Sequence, residues 1–60
     1  MDYKLYDEDS KEFLGWLRNQ GVPESGNIIA WKGRSRKLTD FEVQKTTQTL
    51  SAVIVYARVI

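Results

Sequence analysis

The C-terminal part of the chain has the clearest pattern of apolar positions. Residues 50–60 are dense in β-branched and aromatic side chains, a composition typical of a β-strand. In a strand, one face would carry Leu50, Ala52, Ile54, Tyr56, Arg58 and Ile60, and the other Ser51, Val53, Val55, Ala57 and Val59. Because both faces are mostly apolar, the pattern predicts a strand that is covered on both sides.

A shorter apolar run, residues 27–31, predicts another strand. The segment before it, residues 21–26, holds Gly21, Pro23 and Gly26, and this composition indicates a loop.

Residues 38–43 carry the signals of a helix N-terminus. Thr39 and Glu42 match the capping box, in which a hydroxyl at the N-cap pairs with a carboxylate three residues later. Leu38 and Val43 match the hydrophobic staple that accompanies this box. The pattern predicts a short helix from Thr39 to about residue 48, since threonine is frequent in the segment and is a poor helix former.

The predicted helix fixes the direction of an aromatic ring. If Val43 points to the core, Phe41 lies two residues earlier and about 200° around the helix axis. Phe41 is therefore expected to face solvent, with Lys45 beside it one turn later. An outward phenylalanine at a helix start predicts a partner-binding residue.

Residues 10–20 support two interpretations. Asp9 and Glu12 resemble a capping box, and Gly21 followed by Pro23 resembles a helix stop. Phe13, Gly15 and Leu17, alternating with Leu14, Trp16 and Arg18, instead fit a strand. Both interpretations stay open at this point.

Composition narrows the possible functions. The chain has 60 residues, no cysteine and no histidine, so disulfides, thiolate metal sites and histidine-based catalytic triads are excluded within one chain. We expect one domain over residues 1–60 that is not an enzyme and needs no cofactor or metal. A domain of this size buries only about 60% of the surface of its unfolded chain. A second copy, packed on the C-terminal strand, is the expected support.

The N-terminus and the uncharged runs indicate the cellular compartment of the protein. Residues 1–4 lack the apolar core of a signal peptide. The longest uncharged run, between Lys45 and Arg58, is too short to cross a bilayer as a helix. We therefore expect a cytoplasmic protein without membrane contact.

Charge is unevenly distributed, although the formal net charge is only +1. Six acids and three bases fall in residues 1–26, whereas six bases and two acids fall in residues 27–60. The densest basic run, with an aromatic residue at its start, predicts an alternative nucleic-acid interface formed by Trp31, Lys32, Arg34, Arg36 and Lys37. A solvated basic turn is the simpler interpretation of the same run.

One segment resembles a known family. Lys32-Gly33, a short spacer, the motif Asp40-Phe41-Glu42-Val43 after a hydroxyl residue, and a β-rich C-terminus resemble the small uracil-DNA glycosylase inhibitors of protein-primed Bacillus phages. The resemblance is closest over residues 38–43. It departs from the family in net charge, because those inhibitors are markedly acidic, and at Lys45, where they have a tyrosine.

The resemblance implies an α+β fold, a β-β-α-β chain with an antiparallel sheet that forms a homodimer; with residues 10–20 helical, the alternative is α-β-α-β. It also implies a DNA mimic that occupies the DNA-binding site of a host uracil-DNA glycosylase in the host cytoplasm. Phe41 matches the phenylalanine that, once from each protomer, grips the enzyme's intercalating side chain. Glu42 matches a contacting glutamate, and Asp40 and Lys45 complete the predicted partner-binding set. Inhibition of another host enzyme by a phage protein is a further alternative.

Overall fold

A computed structural model describes residues 2–18, 21–33 and 36–60. Strands account for all of its regular structure in these ranges. They are β1 (Asp2–Asp7), β2 (Phe13–Arg18), β3 (Ile28–Lys32), β4 (Leu38–Gln48) and β5 (Val53–Val59). They form one mixed sheet in the order β2-β1-β5-β4-β3.

The sheet joins two antiparallel units. β1 and β2 form a hairpin, while β3, β4 and β5 follow one another as a meander. A parallel pairing of β1 with β5, from Tyr3 opposite Val53 to Asp7 opposite Ala57, connects the units. β5 is therefore the central strand.

Alternation along the strands creates the core. On β1, Tyr3 and Leu5 are buried, and on β5 Val53, Val55 and Ala57 are buried. Side chains at every second position of a strand point to the same face. These positions, with their counterparts on the other strands, form one buried cluster on the inner face of the sheet: Tyr3, Leu5, Leu17, Phe41, Val43, Val53, Val55 and Ala57.

The inner face is covered because the sheet curls on itself. Trp31 belongs to β3, at one edge of the sheet, and Gly15 belongs to β2, at the other edge. A Cβ atom placed on Gly15 would lie 2.5 Å from Cζ2 of Trp31, and one on Gly33 would lie 2.7 Å from its Cζ3. Only glycine leaves room for the indole at both positions, so Trp31 bridges the two edges of the sheet.

The predicted helix at 39–48 is wrong, since this segment is strand β4. In a strand, Phe41 and Val43 lie on the same face, and both are buried, at 4% and 1% exposed. The β-branched residues that weaken a helix, Val43, Thr46 and Thr47, favour a strand. Pairing with β3 and β5 on both sides outweighs the local capping signal at Thr39 and Glu42.

The same observation corrects the fold class. The chain is all-β in its described residues, so both the β-β-α-β and the α-β-α-β arrangements are wrong. Of the two interpretations of residues 10–20, the strand is confirmed as β2, and the predicted strands at 27–31 and at the C-terminus are present with slightly different bounds. A turn replaces the strand predicted over residues 50–52.

The C-terminal strand is buried by its own chain on one face, whereas the sequence predicted burial by a second copy. Its inner face is buried by the curled sheet of its own chain, and its two edges are hydrogen-bonded to β1 and β4. A homodimer through this strand stays a prediction, but it could not use an edge of β5. It would have to use the outer face.

A β-bulge in β4 divides that strand into two parts. The register with β5 shifts between Val43 and Lys45. After the shift Lys45 lies opposite Tyr56 on the outer face, while the Thr46 hydroxyl donates a hydrogen bond of 2.7 Å to the carbonyl of Pro23. That bond ties the loop before β3 to the sheet.

The contact between Trp31 and Gly15 predicts a specific sensitivity to added volume. We expect Gly15→Ala to lower the free energy of unfolding by about 1–3 kcal/mol, because its methyl group would collide with the indole. Gly21→Ala is the matched control, since nothing lies within 4 Å of a Cβ there, and it should change stability by less than about 0.5 kcal/mol. Urea unfolding followed by circular dichroism measures both. Equal stability of the two variants would contradict closure by Trp31.

Burial of Phe41 predicts a structural role for its ring. Phe41→Ala should lower the free energy of unfolding by about 3–5 kcal/mol, because it opens a cavity in the core. A core of this size supplies only about 3–5 kcal/mol, so the variant should be largely unfolded by far-ultraviolet circular dichroism. Leu38→Ala, an exposed position of the same strand, should stay folded. A folded Phe41→Ala protein with unchanged stability would place the ring outside the core.

Candidate nucleic-acid interface

The predicted partner-binding residues are divided between the two faces of β4. Phe41 is buried, so the predicted exposure of its ring is wrong. Asp40, Glu42 and Lys45 are exposed and face outward. The four residues therefore do not form one apolar patch, and the ring assigned to grip a partner lies in the interior of its own chain.

The residues of the predicted basic interface surround the end of β3. Trp31 is half-buried, lies against Gly15 and Gly33, and contacts Phe41 edge to face at a centroid distance of 6.3 Å. It is held by its own chain and is poorly placed to stack on a base. Lys32, Arg36 and Lys37 are exposed, and the backbone N–H of Arg36 donates to the carbonyl of Gly33 at 2.9 Å. Arg34 lies outside the described residues.

Four aromatic side chains form a continuous cluster on the outer face of the sheet. Register places Tyr6 between Phe13 on β2 and Tyr56 on β5. Ring centroids are 5.4 Å apart for Tyr6 and Phe13, 5.7 Å for Tyr6 and Tyr56, and 6.2 Å for Phe13 and Trp16. We call Tyr6, Phe13, Trp16 and Tyr56 the aromatic row.

The aromatic row is accessible to solvent at its β2 end. Phe13 is 49% exposed and Trp16 is 53% exposed, whereas Tyr6 and Tyr56 are half-buried. Large exposed rings that touch one another form a patch that needs explanation, unlike single exposed apolar residues.

Three lysine side chains lie over two rings of the aromatic row. The Nζ atom of Lys4 is 5.6 Å from the ring centroid of Trp16, and those of Lys11 and Lys45 are 5.4 Å and 4.9 Å from that of Tyr56. These distances are in the range of cation–π attraction. The lysine stems also cover apolar surface of the rings while their charges stay in water.

The lysines differ in their ionic partners. Lys11 pairs with Glu8 at 3.2 Å, and nearby Arg58 pairs with Asp9 at 3.2 Å. Within residues 2–18, 21–33 and 36–60, neither Lys4 nor Lys45 is joined to a carboxylate. These two positive charges, at opposite ends of the aromatic row, are therefore available to an anion.

Cavities beside Trp31 and Trp16 border the sheet. The larger, of about 450 Å³, lies beside Trp31 between β2 and β3, where Phe13, Leu14 and Phe41 line it. The smaller, of about 240 Å³, lies beside Trp16 and the turn between β4 and β5. In the described part of the chain, no group of three or more Asp and Glu side chains is arranged to hold a metal ion.

The aromatic row includes Tyr6 of β1, a strand that is not among the elements predicted from the sequence. The alternation of Tyr3 and Leu5 with Lys4 and Tyr6 is the signal that could have found that strand. The register shift between Leu5 and Tyr6 in the β1–β2 pair then brings Phe13 to the same face as Tyr6 and Trp16.

Comparisons of this chain with protein families, with curated proteins and with solved structures found no match. A search of the described residues for a helix of sufficient length and apolarity to cross a membrane found none.

Proposed function

We propose that this protein binds single-stranded nucleic acid across the outer face of its sheet, without catalysing a reaction. The observation that carries the proposal is the aromatic row with Lys4 and Lys45 at its ends. Aromatic rings and positive charges on the same β-sheet face are the combination that binds unpaired bases and their phosphates.

Stacking supplies the apolar part of the interaction. Phe13 and Trp16 expose about half of their surface, and an unpaired base can cover it with its own flat face. Bases in a duplex are already stacked on one another and do not offer this surface. The aromatic row therefore favours single strands over duplexes.

Electrostatics supplies the second part. Lys4 and Lys45 flank the aromatic row. Arg18 lies on the same face, but directly opposite Asp2 in the β1–β2 pair, so its charge is offset there. Glu42 and Asp2 lie on the same face, so the surface is of mixed sign and we expect few phosphate contacts. The proposal thus describes a binder that depends on stacking more than on charge.

Binding centred on residues 31–37 has less support. Trp31, the aromatic residue of that run, is packed on two glycines. Lys32 and Arg36 can still add positive charge at the end of the sheet, without supplying a stacking surface.

Inhibition of a host uracil-DNA glycosylase stays a prediction from the resemblance. The residue to which the grip was assigned, Phe41, is 4% exposed. Burial of this ring removes the apolar contact that the proposed grip requires.

Trp16 provides the direct test of stacking. Trp16→Ala should weaken binding of an oligothymidylate of about ten nucleotides by roughly tenfold, since stacking of one base contributes about 1–3 kcal/mol. Fluorescence anisotropy of a labelled oligonucleotide at low salt measures it. Ile28→Ala removes an equally exposed apolar side chain from the opposite edge of the same face and should bind normally.

Absence of oligonucleotide binding by the unmodified protein would overturn the proposal. Inhibition of uracil excision by a protein that binds no oligonucleotide would favour the inhibitor instead. Tighter binding of a duplex than of a single strand would contradict the stacking argument.

The positions of the phosphate contacts are tested by the salt dependence of binding. For a single strand, the slope of log K against log salt is about −0.7 for each phosphate contacted. Lys4→Gln with Lys45→Gln should make the slope shallower by about 1.4. Lys32→Gln with Lys37→Gln removes the same charge from the basic run and should change the slope less. The reverse ranking would place the interface at residues 31–37.

A further inference from the structure

The larger cavity opens at one end of the curled sheet. β1, β3 and β5 run in the same direction and end there, while β2 and β4 begin there. The cavity has a volume of about 450 Å³, and its lining includes Phe13, Leu14, Trp31, Lys37, Thr39 and Phe41. A cavity of this size, mostly apolar and in the mouth of a curled sheet, is a usual place for a ligand.

Strand pairing explains why aromatic rings and a hydroxyl share the wall of this cavity. Trp31 lies opposite Thr39 in the β3–β4 pair, and Phe41 follows Thr39 by two residues, so the three side chains point to the inner face. Phe41 is buried beneath the cavity, whereas Trp31 and Thr39 are half-buried. The Thr39 hydroxyl is therefore a polar group in a wall that is otherwise largely aromatic.

Phe13 connects the larger cavity with the aromatic row. Its ring is 5.4 Å from that of Tyr6 and 6.2 Å from that of Trp16, and the same residue is part of the cavity lining. This is possible because β2 is an edge strand, so a side chain on it borders both the outer face and the opening of the curled sheet. A strand of nucleic acid on the aromatic row would consequently reach the cavity at Phe13.

Basic residues lie on the β3–β4 side of the opening. Lys37 lines the cavity, and Lys32 and Arg36 are exposed at the same end of the sheet. The aliphatic stem of a lysine can cover apolar surface while its ammonium group stays in water. This side of the opening therefore combines an apolar wall with positive charge, which suits a ligand that is flat and apolar in one part and anionic in another.

Acidic residues lie on the opposite side of the opening, in the turn between β1 and β2. Glu8 pairs with Lys11 and Asp9 pairs with Arg58, each at 3.2 Å, so their charges are offset. The carboxylate of Glu12 is exposed beside Phe13. An anionic group is therefore attracted to the side of Lys37, away from Glu12.

A nucleotide matches this arrangement. Its base has two flat apolar faces, one of which can stack on Phe13 while an edge of the base meets the wall formed by Trp31. The Thr39 hydroxyl can donate or accept a hydrogen bond, so it can serve the polar edge of any base. The phosphate is the anionic part, and Lys37 is placed to neutralise it.

We propose that one nucleotide of the bound strand turns from the aromatic row into the larger cavity, where its base stacks on Phe13 and its phosphate lies beside Lys37. The inference rests on the proposed function, because the nucleotide must belong to a strand that lies on the aromatic row. It adds an enclosed position to a surface that otherwise holds bases by open stacking. It also gives the basic run a role that does not require Trp31 to be free on the outer face.

The fluorescence of Trp31 tests whether a base enters the cavity. The chain has two tryptophans, so Trp16→Phe leaves Trp31 as the single indole and keeps an aromatic ring in the aromatic row. An oligothymidylate of about ten nucleotides should quench the Trp31 emission, with the same dissociation constant as fluorescence anisotropy gives for this variant. A strand of equal length that lacks bases is the control, and it should leave the emission unchanged.

A pair of charge variants tests the position of the phosphate. Lys37→Gln should make the slope of log K against log salt shallower by about 0.7, the value for one phosphate contact on a single strand. Lys32→Gln removes an exposed lysine at the same end of the sheet but outside the cavity lining, and it should change the slope less. Equal changes for the two variants would place the phosphate outside the cavity.

The outcomes distinguish this inference from the proposed function. If the unmodified protein binds no oligonucleotide, the proposed function fails and the cavity subsite fails with it. If the oligonucleotide binds by anisotropy while the Trp31 emission stays constant, the interface on the aromatic row stands and the cavity subsite is overturned. Equal quenching by the strand without bases would also overturn it, since no base would then be the cause.

Discussion

The packing of Trp31 against Gly15 is the contact on which the rest of this structure depends. A single five-stranded sheet has two faces, and a chain of 60 residues has no second layer with which to cover one of them. Bringing β3 over β2 curls the sheet and encloses its inner face. Glycine at positions 15 and 33 makes the approach possible, and the core then forms from one strand face alone.

The curl also decides which surface is available to a partner. With the inner face enclosed, every functional side chain must lie on the outer face, in the turns or at the open end of the sheet. The aromatic row lies on that outer face because Tyr6 and Trp16 alternate with inward-facing residues of the hairpin, and the register shift between Leu5 and Tyr6 brings Phe13 to the same face. The core and the candidate interface are thus two results of the same alternation.

Several strands could be predicted from the sequence, and the wrong prediction of a helix has a physical cause. The strands near 27–31 and at the C-terminus were predictable from their β-branched residues, whose preference agrees with their burial. The strand at residues 38–43 was not predicted. A capping box and a hydrophobic staple are local signals for a helix, whereas the pairing of β4 with β3 and β5 is non-local. Because of that error, Phe41 was predicted to face solvent although it is buried, so the predicted partner-binding site included a core residue. Of the four residues assigned to a protein partner, Asp40, Glu42 and Lys45 are exposed and Phe41 is buried.

The central position of β5 has a consequence for how the chain acquires its structure. The parallel pairing of Tyr3 with Val53 joins residues from opposite ends of the sequence, and no earlier strand can substitute for it between β1 and β4. Bringing such distant segments together has a large loop-closure entropy, so topology of this kind folds slowly compared with local hairpins. During synthesis on the ribosome, the hairpin and the first part of the meander would exist as separate nascent pieces, and the sheet would assemble only when the last strand emerged.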